Sequence, residues 1–347
     1  MTLAMRMNRA TCRLPRTSRA AILCLGALLG GALGLMAPAA SAAPQEPTMI
    51  SLISFGSLQG DVEMCGCHRG PKGGIARRVS WLADVEKQDP DYVQLDLGNF
   101  ASVKDAVAET ETAFVWKMME KLQVASTALG PREMTSWKIV RPLVEAGTIP
   151  MVSSNVRVRE NGQDRAAGDR ILYVETEGVR LGIFSLIGPE PFATAKAPEG
   201  VQFTLEDPFK VARSIIPEIR GQADVVVLVS QMTVAESDSL LKNVPGIDVA
   251  LYGYLAEYED IASRVGGTIV NRTGERGQYA GRLMLTVDPA GKISGFSSAN
   301  VALAKAMPED PETAALVEET LAEVNRLQSA DRQRNLDDFE RRLAEGK

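Results

Sequence analysis

The run Tyr92-Val93-Gln94-Leu95-Asp96-Leu97-Gly98-Asn99-Phe100 decides the architecture: a short apolar strand over 92–97 closes on a glycine, and the pattern on either side of it is helical. Upstream, Gly73-Gly74-Ile75-Ala76-Arg77-Arg78 opens a helix that carries Ile75, Val79, Leu82 and Val85 on one face and ends near Pro90. Before it, 49–55 is another apolar strand-like run, followed by a polar loop. Downstream, the spacing predicts a helix over 111–122, a strand over 125–129, a helix over 135–146 and a strand over 149–153. Strands alternating with helices favour a parallel sheet covered on both faces.

The middle of the chain changes character. Runs at 170–177 and 180–187 flank Gly178 and predict a hairpin. The alternation then resumes with a helix over 208–220, a strand over 223–229, a helix over 234–241 and a strand over 248–252, before three strand-like runs at 268–271, 281–287 and 293–299. Mixed sheets in a layered α/β sandwich fit this order, and no internal repeat or low-complexity stretch interrupts it. After Pro308 the chain is highly charged, with Val317, Leu321, Val324 and Leu327 and then Leu336, Phe339 and Leu343 at helical spacing. A capping helix packed on the domain is expected, with a protruding partner-binding helix as the alternative, and 331–335 breaks the stripe.

The N-terminus reads as a cleaved secretory signal peptide over 1–42. Arg6, Arg9, Arg13, Arg16 and Arg19 precede an apolar run over 20–36 and the small-residue site Ala40-Ser41-Ala42. Arg16 and Arg19 are not adjacent, which does not support a twin-arginine route, and Cys24 lacks a lipobox. A periplasmic or secreted protein is expected, with no membrane association after cleavage. The leader takes five of the 38 basic residues and none of the 44 acids, so 33 bases face 44 acids and the mature formal charge is −11. That balance excludes nucleic acid as a partner.

Of four cysteines, Cys12 and Cys24 leave with the leader, and Cys65 and Cys67 remain, followed at once by His68, the chain's single histidine. In an oxidising compartment two thiols one glycine apart form a small-ring disulfide or stay a reactive pair. A staple there closes almost no loop and stabilises little. With Met64 where a first cysteine would stand, the run does not make a haem-attachment signature, and the sequence calls for no cofactor.

Five landmarks occur in order: Gly73 to Arg78, Asp96 to Phe100, Ser153-Ser154-Asn155-Val156, Val244-Pro245-Gly246-Ile247-Asp248-Val249, and Gly281-Arg282-Leu283-Met284-Leu285-Thr286-Val287-Asp288. With them the chain resembles the N-terminal domain of calcineurin-like metallophosphatases, in the 5'-nucleotidase and UDP-sugar hydrolase branch, over 49–302. The resemblance implies a four-layer α-β-β-α sandwich with mixed sheets, here over 43–302, followed by a charged helical tail over 303–347. It also implies two metal ions held by Asp, His and Asn at the carboxyl ends of the strands. This chain departs from that pattern at each position. Ser57 and Gln59 stand for the first Asp-x-His, Asn99 for the bridging Asp, and Pro131 and Arg132 for the Asn-His pair. Gln231 replaces the later histidine, and Tyr254 and Ala256 replace the Gly-His-x-His histidines. One histidine cannot supply several imidazoles. The loop before Gly73-Gly74 also resembles an exported subgroup with Cys-x-Cys, or a selenocysteine equivalent, at this place.

Four readings follow. The first is a pseudo-phosphatase scaffold presenting Cys65 and Cys67 as a redox pair to a redox or protein partner, the thiolate favoured by Arg69, Lys72 and the helix N-terminus. The second is a non-catalytic module holding an anion or partner at Arg132, Asn99 and Gln231. Set against it are plain structural roles: Asn99 capping a turn, Arg132 pairing with Glu133 or another acid, and Gln231 satisfying backbone. The third is Cu or Zn binding by Cys65, Cys67 and His68. The fourth is a residual hydrolase on a carboxylate metal site of Asp61, Asp96 and Glu133.

Overall fold

Residues Thr48–Phe55, TMISLISF, form a strand buried along most of its length, and its alternating side chains face two different layers. Leu52 joins a core shared with Leu95, Leu283, Val227 and Leu251, while Ile53 and Phe55 face Leu82 and Val85 of the helix Ile75–Gln88. A strand buried on both faces needs apolar residues at consecutive positions. Each such side chain removed from water contributes about 1.5 to 3 kcal/mol. In the computed structural model, which describes residues 46–65 and 70–345, this strand stands near the centre of a six-stranded sheet. The expected signal peptide, Cys67 and His68 lie outside the described residues.

The order of that sheet is Ile293–Ala302, Tyr279–Val287, Thr48–Phe55, Val93–Asp96, Ser126–Ala128, Met151–Val152. Thr48–Phe55 runs antiparallel to Tyr279–Val287 and parallel to Val93–Asp96, with Phe55 level with Asp96. A second six-stranded sheet runs Ser263–Val265, Thr268–Arg272, Val249–Tyr252, Val225–Gln231, Val179–Ile187, Leu172–Thr176, parallel except for its two outermost pairs. Its outer face packs Phe184, Leu186 and Leu228 against Ile215, Ile219 and Leu240 of the helices Pro208–Arg220 and Val234–Asn243. Helices, sheet, sheet and helices make the expected four-layer α-β-β-α sandwich with mixed sheets.

Three local expectations change. The helix predicted over 135–146 is two helices, Pro131–Thr135 and Trp137–Glu145: Pro131 starts a turn early, and Ser136, at φ −93° and ψ 25°, ends the first helix and leads into the second, its Oγ donating to Ser102 O at 2.6 Å. A three-stranded sheet of Val201–Leu205, Val156–Glu160 and Gln163–Ala166 was not anticipated, although Asn161-Gly162, both at positive φ, is a strong hairpin signal. The tail is one unbroken helix, Pro311–Ala344. Its 331–335 stretch loses the apolar face without losing helical propensity, and Arg334 and Asp331 pair along it at 3.1 Å. Leu316, Val317 and Leu321 pack on the core and Val324 is buried, whereas Leu336, Phe339 and Leu343 are 50 to 60 % exposed. No helix among the described residues is long and apolar enough to cross a membrane.

Candidate functional site

Parallel strands deliver their following loops to one rim, and here the carboxyl ends of Thr48–Phe55, Val93–Asp96 and Val225–Gln231 bring Ser57, Gln59, Asn99 and Gln231 together. The turns are tight: Ser57, Gln59 and Asn99 all adopt positive φ, and Gln59 N donates to Asn99 O at 2.7 Å. Asn99 Nδ2 donates to Gln231 Oε1 at 2.8 Å, and Gln231 Nε2 donates to Leu97 O. Asn99 Oδ1 accepts from Arg132 N at 3.2 Å, so it caps the short helix Pro131–Thr135 from a neighbouring loop.

The buried amide pair is closely packed on the side of its three neighbouring glycines. A β-carbon on Gly130 would meet Asn99 Oδ1 at 2.6 Å, one on Gly253 would meet Gln231 Nε2 at 2.5 Å, and one on Gly98 would meet Ala128 O at 2.6 Å. Three backbone segments close on the two amides as tightly as the chain permits.

Arg132 lies beside the pair and is held by carbonyls, its Nε donating to Ala101 O at 2.8 Å and its Nη2 to Gln59 O at 3.0 Å. Burial lowers its pKa, opposed mainly by the nearby Glu133 charge. The expected Arg132–Glu133 pairing gives way to a different arrangement. Glu133, fully buried, accepts from the backbone N–H of Asn99, Ala101 and Gly130, each at 2.9 Å. Burial pushes its carboxyl up to about 7 against these three bonds. The sequence reading missed this role, though a glutamate three residues after Gly130, with proline at the first helical position, is placed to accept from the N-cap N–H, one half of a capping box.

Asp96 Oδ1 accepts from Gly98 N at 3.0 Å and Thr127 Oγ1 at 2.7 Å, and burial raises its pKa against the pull of Arg78. Arg78 is buried with its guanidinium 3.6 Å from the Phe55 ring centre, and desolvation lowers its pKa to about 10. Asp61 pairs with Arg276 at 2.6 Å and Lys104 at 3.7 Å. The three carboxylates of the residual-hydrolase reading therefore serve three different networks. Among the described residues no group of three or more His, Cys, Asp and Glu converges as a metal site.

The fold's dinuclear centre does not fit these residues. Its positions carry amides already paired with each other, a guanidinium that only donates, and Ala256, which is buried against the second sheet's helices. Ser57, Gln59, Asn99, Pro131, Arg132 and Tyr254 do line one cavity of about 610 Å³, with Lys196 and Glu275. Burial raises the pKa of Glu275, whose Oε1 has no donor among the described residues.

At the edge of the same rim, Met64–Cys65 and Lys72–Gly73 form a two-residue antiparallel ladder that sets Lys72 opposite Cys65. The hairpin is tied down by Gly73 N to Leu303 O at 2.8 Å and by Lys72 Nζ to Tyr279 Oη at 2.9 Å. Gly73 and Gly74 take positive φ, and Gly74 leads into Ile75–Gln88 without a side-chain cap. Arg77, the third residue of that helix, donates to Gly73 O at 3.3 Å and pairs with Glu309 at 2.7 Å, joining hairpin, helix and C-terminal segment.

No protein-family model matches the chain. It is 28 % identical over 118 residues to the uncharacterised metallophosphoesterase YunD of Bacillus subtilis strain 168, across 34 % of this chain and 26 % of that protein. The structure is similar to a 5'-nucleotidase precursor of Thermus thermophilus, with TM-score 0.69 and 20 % identity over 82 % of this chain and 59 % of the other. It is similar also to the calcineurin-like phosphoesterase YfkN of Bacillus subtilis, with TM-score 0.63 and 19 % identity over 82 % of this chain and 99 % of the other. The chain thus spans about a quarter of the curated relative it matches and 59 % of the nucleotidase precursor. These likenesses establish the calcineurin-like metallophosphatase fold.

Proposed function

We propose that the chain is an exported protein of metallophosphatase fold that hydrolyses no phosphoester and carries out thiol–disulfide exchange at Cys65 and Cys67. One juxtaposition supports this reading. The centre of the rim, where the fold holds its metals, is closed by the Asn99–Gln231 amides and Arg132, while at its edge Cys65 is laddered against Lys72. Lys72 Nζ is held on Tyr279 Oη at 2.9 Å, so the strand opposite Cys65 carries a positive charge, and positive charge near a thiol favours its thiolate form.

In the proposed exchange a client thiolate attacks one sulfur of the Cys65–Cys67 disulfide. That S–S bond breaks, a mixed disulfide forms, and the displaced sulfur leaves as a thiolate. A second client thiolate then attacks the mixed disulfide and releases the other cysteine. The client loses two electrons and two protons, which the two cysteines gain. A ring closed over a single intervening residue is strained, and strained disulfides are the oxidising, easily reduced ones.

Intact-mass thiol counting of the mature protein, before and after mild reductant and beside the two Cys→Ser variants, tests this. Two thiols opened by mild reductant, with exchange lost in both variants, are expected. A bridge that resists reduction, or unchanged exchange in both variants, overturns the reading.

The cavity of about 610 Å³ over the closed centre favours a second reading, a site for a small anion held by Arg132 and Lys196. Titration calorimetry with phosphate, nucleotides and sugar phosphates tests it, and absence of heat removes it.

A further inference from the structure

A groove of about 250 Å³ lies beside the cysteine hairpin, between the start of Ile75–Gln88 and the helix Pro311–Ala344. Ile75, Val317 and Leu321 give it an apolar floor, and Glu63, Glu309 and Glu318 stand on its rim. Arg77 is the single cation among the lining residues, and Glu309 pairs with it at 2.7 Å. Glu63 and Glu318 are exposed and have no ion-pair or hydrogen-bond partner among the described residues. Arg77 itself is 6 % exposed, and its Nε has no acceptor among the described residues. Two uncompensated carboxylates therefore overhang apolar surface, next to a buried donor that lacks a partner.

Position ties this groove to the thiol chemistry. Glu63 precedes Cys65 by two residues, about 7 Å of extended chain. The groove is within reach of the residues that flank a cysteine exchanging with Cys65. Long basic side chains suit it, because their alkyl stems rest on apolar floor while their charged ends reach a carboxylate rim.

Building on the thiol-exchange reading, we propose that the groove selects its clients: polypeptides with lysine or arginine and an apolar residue within a few positions of the reacting cysteine. Each exposed ion pair changes a rate by at most about fivefold, so the two carboxylates together supply a preference on the order of tenfold. Salt screens it.

The test uses the full mature protein in its disulfide form and three synthetic Cys-x-x-Cys dithiol peptides, flanked by Lys-Leu, Glu-Leu or Ser-Ser. Dithiothreitol serves as a neutral thiol that needs no groove. The Lys-Leu peptide should be oxidised about tenfold faster than the Glu-Leu peptide at low salt, with the difference collapsing at high salt and in the E63K and E318K double variant. Dithiothreitol oxidation by each protein gives the rate against which its peptide rates are normalised. Equal peptide rates alongside normal dithiothreitol oxidation overturn the groove alone, as does a preference for the Glu-Leu or Ser-Ser peptide. Failure to oxidise dithiothreitol overturns the exchange reading, and the groove proposal with it.

Discussion

Two parts of one rim are built from the same material to opposite ends. At the centre, Asn99, Gln231, Arg132 and Glu133 commit nearly every polar atom to one another or to backbone, and three glycines bring the neighbouring backbone close against the amides. At the edge, the hairpin of Met64–Cys65 and Lys72–Gly73 is a ladder of two residue pairs, anchored by a few bonds and bordered by a groove. Whether a loop becomes framework or chemistry depends on whether its polar groups find partners inside the fold.

The largest break in this comparison should come from Glu133. Glu133→Gln leaves at least one buried backbone N–H without its acceptor, so urea denaturation should show a loss of about 3 kcal/mol. The same residue gives a pH signature. Its carboxyl is raised from the ordinary value to about 7 in the fold, so its stabilising contribution is complete below the unfolded value and is lost as pH rises through about 7. The wild-type urea midpoint should therefore fall between about pH 4.5 and 7 by an amount that Glu133→Gln abolishes. An unchanged slope in the variant would assign the pH dependence to another group.

Gly98→Ala attacks the close packing of the centre. Gly98 sits at φ 89°, and an added β-carbon meets Ala128 O at 2.6 Å, so a loss of about 2 kcal/mol is expected in the same titration. Arg132→Ala sharpens the contrast by removing the cation. It should cost about 1 to 2 kcal/mol through the two carbonyls it leaves, and manganese should not shift the unfolding midpoint of either protein. A manganese-dependent rise in the variant would show that Arg132 alone had closed a competent metal site.

The smallest effect belongs to the edge. Lys72→Gln removes the cation opposite Cys65, and alkylation of the reduced protein followed against pH should show the thiol titrating higher, with a few-fold slower reaction near neutrality. Global stability should hardly change, because Lys72 contributes one hydrogen bond to Tyr279.

Much of this was legible in the residues. Strands buried on both faces demand apolar runs, so Thr48–Phe55, Val93–Asp96 and Val225–Gln231 announce themselves, and Tyr279–Val287 shows the alternation of a half-buried strand. The scarcity of imidazole was legible as well, since the chain has a single histidine. Polar edge elements were not legible. Val156–Glu160 and Gln163–Ala166 carry little apolar periodicity, and only the Asn161-Gly162 turn betrayed them.

The sequence by itself determined the layered α/β fold, because periodic burial is written in side-chain type and spacing, and it determined that the chain has one imidazole. Only the tertiary structure decided how the rim residues pair. Asn99 and Gln231 are 132 residues apart, and Arg132 reaches carbonyls 31 and 73 residues away. Hydrogen-bond partners at such separations are set by which strand ends meet at the rim, and sheet order is a property of the whole packed chain.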